Sequence, residues 1–120
     1  MMPKKVRQIE KLEIVQSEIM KAVRAIPLRP ITYSQLGEIT ATGPRGPSKE
    51  LLDYIADQQK LAALPDITVI VVRSDSGYPG QIDGQKTEKP TIEQKRRARA
   101  KMQEVIDKYN PGAHNPFFVV

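Results

Sequence analysis

Residues 67–72, Ile-Thr-Val-Ile-Val-Val, form an almost unbroken β-branched and aliphatic run. Leu64-Pro65-Asp66 leads into it, and Arg73-Ser74-Asp75-Ser76-Gly77-Tyr78-Pro79-Gly80 follows it. Branching at Cβ restricts χ1 and suits a pleated, buried surface, and six residues are too few for a helix in their own right. The run therefore predicts a buried strand that leaves the core through a polar, glycine-punctuated loop, with residues 74–77 as its turn. The returning arm, residues 78–84, contains Pro79, Gly80 and Gly84. It can form only a short or irregular edge strand, because proline gives no N–H to a ladder.

The elements before and after this run are predicted by spacing and by caps. Ile9, Leu12, Val15, Ile19, Val23 and Ile26 recur at three- and four-residue steps, which predicts a long amphipathic helix over residues 4–25. Pro27 and Pro30 end it. Ile31-Thr32-Tyr33 reads as a short extended piece. Thr32 with Gln35 fits a capping box at the start of a short helix, residues 34–40. A turn with two glycines and two prolines follows, and Ser48 is a good N-cap for a third helix over residues 49–60, with Leu51, Leu52 and Ile55 inward. Residues 85–90 read as a polar linker. Thr91 with Gln94 repeats the capping box before a fourth helix, residues 92–109, whose apolar stripe is Ile92, Ala98, Met102, Val105, Ile106 and Tyr109. Asn110-Pro111-Gly112 stops that helix, and the tail ends in Phe117-Phe118-Val119-Val120. Such a tail is expected to tuck into the core, since exposed it would invite aggregation.

This order predicts an α+β fold: a winged helix-turn-helix with a long N-terminal helix, a short β-hairpin wing and an extra C-terminal helix. Residues 1–120 then form a single domain, with the N-terminal helix in 4–26, the helix-turn-helix and wing in 31–84, a basic helix in 91–110 and an apolar tail in 111–120. A length of 120 residues supports one modest core. With 5% aromatic residues and no Trp, that core must rest on Ile, Leu and Val.

Cysteine is absent, which excludes disulfides, thiolate nucleophiles and cysteine zinc sites. His114 is the single histidine and has no partners at metal-ligand spacing. No catalytic motif or cofactor-binding loop is found. An enzyme would have to assemble its site from distant residues such as Tyr33, Asp75, Asp83 and His114, so the chain is read as a non-enzyme without cofactor. There is no signal-peptide pattern and no run near the roughly 18 apolar residues of a spanning helix, so a cytoplasmic protein without membrane contact is expected.

The formal charge of +5 permits contact with nucleic acid. Three places carry suitable residues. In a helix-turn-helix the second helix presents its N-terminal residues to DNA, which points to Arg45 in the turn and to Ser48 and Lys49 at the helix start. Against this, Glu50, Asp53 and Asp57 on the same helix would repel phosphates. At the wing, Arg73 and Tyr78 would touch the backbone. Residues 95–101 hold five cations within seven positions, of which Lys95, Arg96 and Arg99 fall on adjoining helix faces. The bland reading of that ridge is a solvated face.

Residues 31–80 also resemble a poorly characterised group of small phage and bacterial proteins. The matching features are Thr32-Tyr33-Ser34-Gln35-Leu36, Leu64-Pro65, the aliphatic run and Gly77-Tyr78-Pro79-Gly80. More distantly, the segment is similar to the DNA-binding domain of O6-alkylguanine-DNA alkyltransferases and alkyltransferase-like proteins, through the Thr-Tyr helix start, the glycine-containing turn and Val72-Arg73-Ser74-Asp75. The acceptor box of that family, proline-cysteine-histidine-arginine, is absent here, and no tryptophan replaces its cysteine. The resemblance thus implies a fold and a DNA-facing surface without alkyl transfer. Together these readings predict a non-enzymatic DNA-binding protein or accessory factor of a bacterium or phage, with double-stranded DNA as partner. The rival is a protein-interaction or regulatory module on the same scaffold, including a homodimer through the N-terminal helix or the apolar tail.

Overall fold

Side-chain caps and prolines set the helix boundaries in this computed structural model, which describes residues 8–117. A 3-10 turn, Ile9–Lys11, leads into α1, Leu12–Arg24, whose Val15, Ile19 and Val23 are fully buried at four-residue steps. The expected helix start at residue 4 lies outside the described residues. After the prolines come β1, Ile31–Thr32, and α2, Tyr33–Thr40. The capping box is present: Gln35 N–H donates to Thr32 Oγ1 at 3.1 Å, and Thr32 N–H to Gln35 Oε1 at 3.0 Å. Ser48 caps α3, Lys49–Leu61, by accepting from Leu51 N–H at 3.2 Å.

The aliphatic run departs from the expected strand. Asp66 Oδ1 accepts both the amide and the hydroxyl of Thr68, at 2.9 and 2.6 Å, and winds Ile67–Ile70 into a 3-10 turn. Only β2, Val71–Val72, is extended. A carboxylate immediately before the run offers its first amides a nearer acceptor than another strand does. β2 pairs in parallel with β1, Ile31 opposite Val71 and Thr32 opposite Val72.

The predicted hairpin partner is therefore displaced along the chain. Arg73 N–H donates to the Tyr78 carbonyl and Gly77 N–H to the Arg73 carbonyl, both at 2.9 Å, closing a loop where a returning strand was expected. The antiparallel hairpin consists instead of β3, Gln81–Ile82, and β4, Gln85–Lys86. Asp83 and Gly84 join them with φ of 52° and 78°, the two positive values that a type I′ turn requires. The segment expected as a linker thus supplies one of its strands. Its second capping box then opens α4, Ile92–Tyr109, at the predicted bounds.

The buried run packs against α1, α3 and α4, and Leu36 of α2 joins the same core. At the far end of α4, Asn110 Nδ2 donates to the carbonyls of Val23 and Ala25, both at 3.0 Å, and so ties the end of α1 to the end of α4. The tail folds back, with Phe117 1% exposed, while Phe118, Val119 and Val120 lie outside the described residues.

Between α2 and α3, residues 41–48 lie directly on α2. A Cβ on Gly37 would meet the Gly43 carbonyl oxygen and would stand 2.7 Å from Gly46 Cα. Only glycine permits that approach. Gly37→Ala is expected to destabilise the fold by about 3 kcal/mol, because backbone rather than a flexible side chain would have to move. The midpoint of urea denaturation, compared with wild type, measures it.

Candidate nucleic-acid interface

A cleft of about 1390 Å³ runs between the outer face of α3 and the β3–β4 hairpin with α4. Tyr33 lies at its margin, buried enough to push its phenol above the ordinary value, and its hydroxyl accepts from Gly80 N–H at 2.9 Å. That bond fixes the chain at Gly80, one residue before the hairpin begins. Asp83 in the hairpin turn then reaches α4, with Arg97 Nη1 3.4 Å and Lys101 Nζ 3.3 Å from its carboxylate. The hairpin is held at one end by a phenol and at its tip by two cations.

Arg45, Lys49, Lys60, Lys86 and Lys101 line the cleft, and so do Asp53, Asp57, Asp66, Asp83 and Glu104. The lining is therefore balanced in charge, and the acids of α3 sit along its length. Of the residues expected to bind DNA, Arg45, Ser48 and Lys49 are brought together here, at the loop end of α3. Arg45 is exposed. Ser48 is engaged in capping. Lys49 Nζ stands 2.7 Å from Asp53 Oδ2, and this hydrogen bond raises the lysine above its ordinary value.

The other expected residues are placed elsewhere, outside the cleft lining. Arg73 forms a two-pronged contact with Asp75, Nε to Oδ1 at 2.9 Å and Nη2 to Oδ2 at 2.8 Å. Tyr78 is 8% exposed and stacks on Phe117 with ring centroids 5.1 Å apart. Its ring belongs to the core, a correction to the expectation that it would stand on an exposed wing. The reason is the tail, whose apolar residues need an aromatic surface to cover. Lys95 Nζ sits 5.4 Å from the centre of the same ring, and Arg99 Nη1 donates to the Phe117 carbonyl at 2.9 Å. Arg99 therefore holds the tail, and Lys95 lies over the ring on which Phe117 stacks. Arg96 is exposed beside Glu93, at 3.6 Å.

Helical periodicity separates these cations further. Lys95, Arg96 and Arg99 flank the buried stripe of α4 on one side, while Arg97 and Lys101 flank it on the other, against Asp83. Sequence reasoning weighed Asp83 only for an assembled active site, counted Arg97 and Lys101 in the basic run without singling them out, and passed over Lys86. The Asp83-Gly84 pair is a recognised hairpin signal and could have located β3–β4. Nothing local announces the contact of Asp83 with α4.

Tyr33 and Asp83 both line the cleft, but Asp75 and His114 do not, so the four residues weighed for an assembled active site are not gathered in one place. Among the described residues there is no group of three or more His, Cys, Asp or Glu side chains able to hold a metal ion. No helix among them is long and apolar enough to cross a membrane.

The guanidinium of Arg73 holds the Asp75 carboxyl down to about 2, against an ordinary 3.8. A carboxylate depressed in the folded chain stabilises it above the ordinary value and ceases to do so as pH falls through the lower one. A carboxyl-carbon NMR titration is expected to place Asp75 near 2 in the wild type, and Arg73→Gln is expected to return it toward 3.8. No protein-family model, curated protein or solved structure matches the chain.

Proposed function

We propose that this chain is a non-enzymatic protein that binds duplex DNA in the manner of a winged helix, with the α2–α3 loop and the first turn of α3 against the sugar–phosphate backbone. The observation that carries this reading is the grouping of exposed Arg45 with Ser48 and Lys49 at one end of α3, across a cleft from Lys86 and Lys101. A helix followed by a hairpin on the far side of a cleft is an arrangement able to straddle a backbone. Cations and polar groups placed so set register without reading sequence.

The acids refine the reading. Glu50, Asp53 and Asp57 follow one another along α3, and Asp53 and Asp57 line the cleft. Phosphates are repelled from that length of the helix, so contact is confined to its loop end, and Arg96 adds a further exposed cation on α4. A second reading, a module that binds protein, is favoured by the balanced charge of the cleft, which suits a partner of mixed charge.

Fluorescence anisotropy with a random-sequence duplex across a salt series tests the first reading. Arg45→Gln with Lys49→Gln is expected to weaken binding on every duplex and to reduce the slope of log K against log salt by about 1 for each charge removed. Asp53→Asn with Asp57→Asn is expected to tighten binding at low salt. Failure of the wild type to bind at low salt, with a light-scattering mass that rises with concentration, would replace DNA by a second copy of the chain.

A further inference from the structure

The hairpin tip places one carboxylate between two cations. Asp83 Oδ2 lies 3.4 Å from Arg97 Nη1 and Asp83 Oδ1 lies 3.3 Å from Lys101 Nζ, one oxygen to each cation. Arg97 and Lys101 stand four residues apart on α4, and so share one of its faces. Among the described residues no other carboxylate is shared by two cations. A DNA phosphodiester offers the same features, one negative charge spread over two terminal oxygens, which a guanidinium and an ammonium can each take. The Asp83 carboxylate thus fills, from within the chain, a place that suits a phosphate of a nucleic-acid backbone.

That internal occupant is loosely held. Lys49 meets Asp53 at 2.7 Å, and Arg73 meets Asp75 at 2.9 and 2.8 Å. Both Asp83 contacts are longer than the roughly 2.7–2.9 Å of a charge-assisted hydrogen bond. The three side chains are partly exposed, so water competes for the pair and an incoming anion can reach it. Nor does the hairpin depend on this contact. Ile82 is 3% exposed in the core, Thr87 N–H donates to the Gly80 carbonyl at 2.8 Å, and Gly80 N–H donates to Tyr33. Turning the Asp83 side chain into water therefore frees both cations while the backbone stays in place. Of the acids within about one turn of them on α4, Glu93 faces Arg96 at 3.6 Å, which leaves Glu104 alone against two cations.

We infer that Arg97 and Lys101 form a second phosphodiester site for duplex DNA, which the Asp83 carboxylate fills until a phosphate displaces it. The inference rests on the reading of the preceding subsection and adds to it a contact on the α4 side of the cleft. Asp83 and Lys101 both line that cleft, as Arg45 and Lys49 do. A duplex already held at the loop end of α3 presents its phosphates to the pair at a high effective concentration, which lets them compete with a tethered carboxylate. Asp83 thereby keeps affinity below what the cations of α4 would otherwise give.

The test uses the full chain and a random-sequence duplex over a salt series. Asp83→Asn suits it because asparagine also accepts the positive φ of the hairpin turn, and its urea midpoint is expected to stay near that of the wild type. Asp83→Asn is expected to tighten binding at low salt by about tenfold and to steepen the salt slope by about 2. With Arg97→Gln and Lys101→Gln already in place, the same substitution is expected to lose most of this gain. If Asp83→Asn helps equally or more without the two cations, it acts only by removing a negative charge, and the inference is overturned. If the wild type binds and Asp83→Asn matches it in affinity and slope, the inference fails while DNA binding stands. If neither protein binds, both fail.

Discussion

Burying the backbone of residues 67–72 is the constraint around which the molecule is arranged. Ile67, Ile70 and Val71 are wholly inaccessible, and each fully buried aliphatic side chain of this size contributes roughly 1.5–3 kcal/mol. Their amides and carbonyls must be satisfied without water. Near the start of the run Asp66 accepts the Thr68 amide, and the two-residue parallel ladder to Ile31 and Thr32 serves its end. That ladder places Thr32 at the start of α2, where it is also the cap. The position of α2, and of the loop and helix after it, thus derives from where the aliphatic run is buried.

The structure divides the basic residues by task. Arg99 holds the tail, Lys95 lies over the Tyr78 ring, Arg97 and Lys101 hold the hairpin, and Arg73 holds Asp75. A count of positive residues along the sequence therefore overstates what α4 offers a polyanion. Arg45 stays exposed on the α2–α3 loop, while Lys49, in the first turn of α3, pairs with Asp53 of the same helix.

What was legible in the sequence follows from how local each signal is. Capping boxes at Thr32–Gln35 and Thr91–Gln94 and the cap at Ser48 need only three or four residues to act, and the helices begin where those residues predict. The helical stripe of Val15, Ile19 and Val23 is equally plain. The aliphatic run was harder, because an unbroken apolar segment has no period to tell a strand from a turn. Its outcome was decided by one carboxylate, Asp66. The burial of Tyr78 depends on Phe117, nearly forty positions away. The sharing of Asp83 by one arginine and one lysine side chain likewise arises only once the hairpin and α4 are side by side.

The flat seating of residues 41–48 on Gly37 separates the shape of that loop from the chemistry it displays. Main-chain atoms of Gly43 and Gly46 make the seat, so the outline persists whatever side chains project from it. Arg45 can accordingly be exchanged during evolution without disturbing the platform beneath it. Selection could then retune what this surface recognises, one residue at a time, on an unchanged frame.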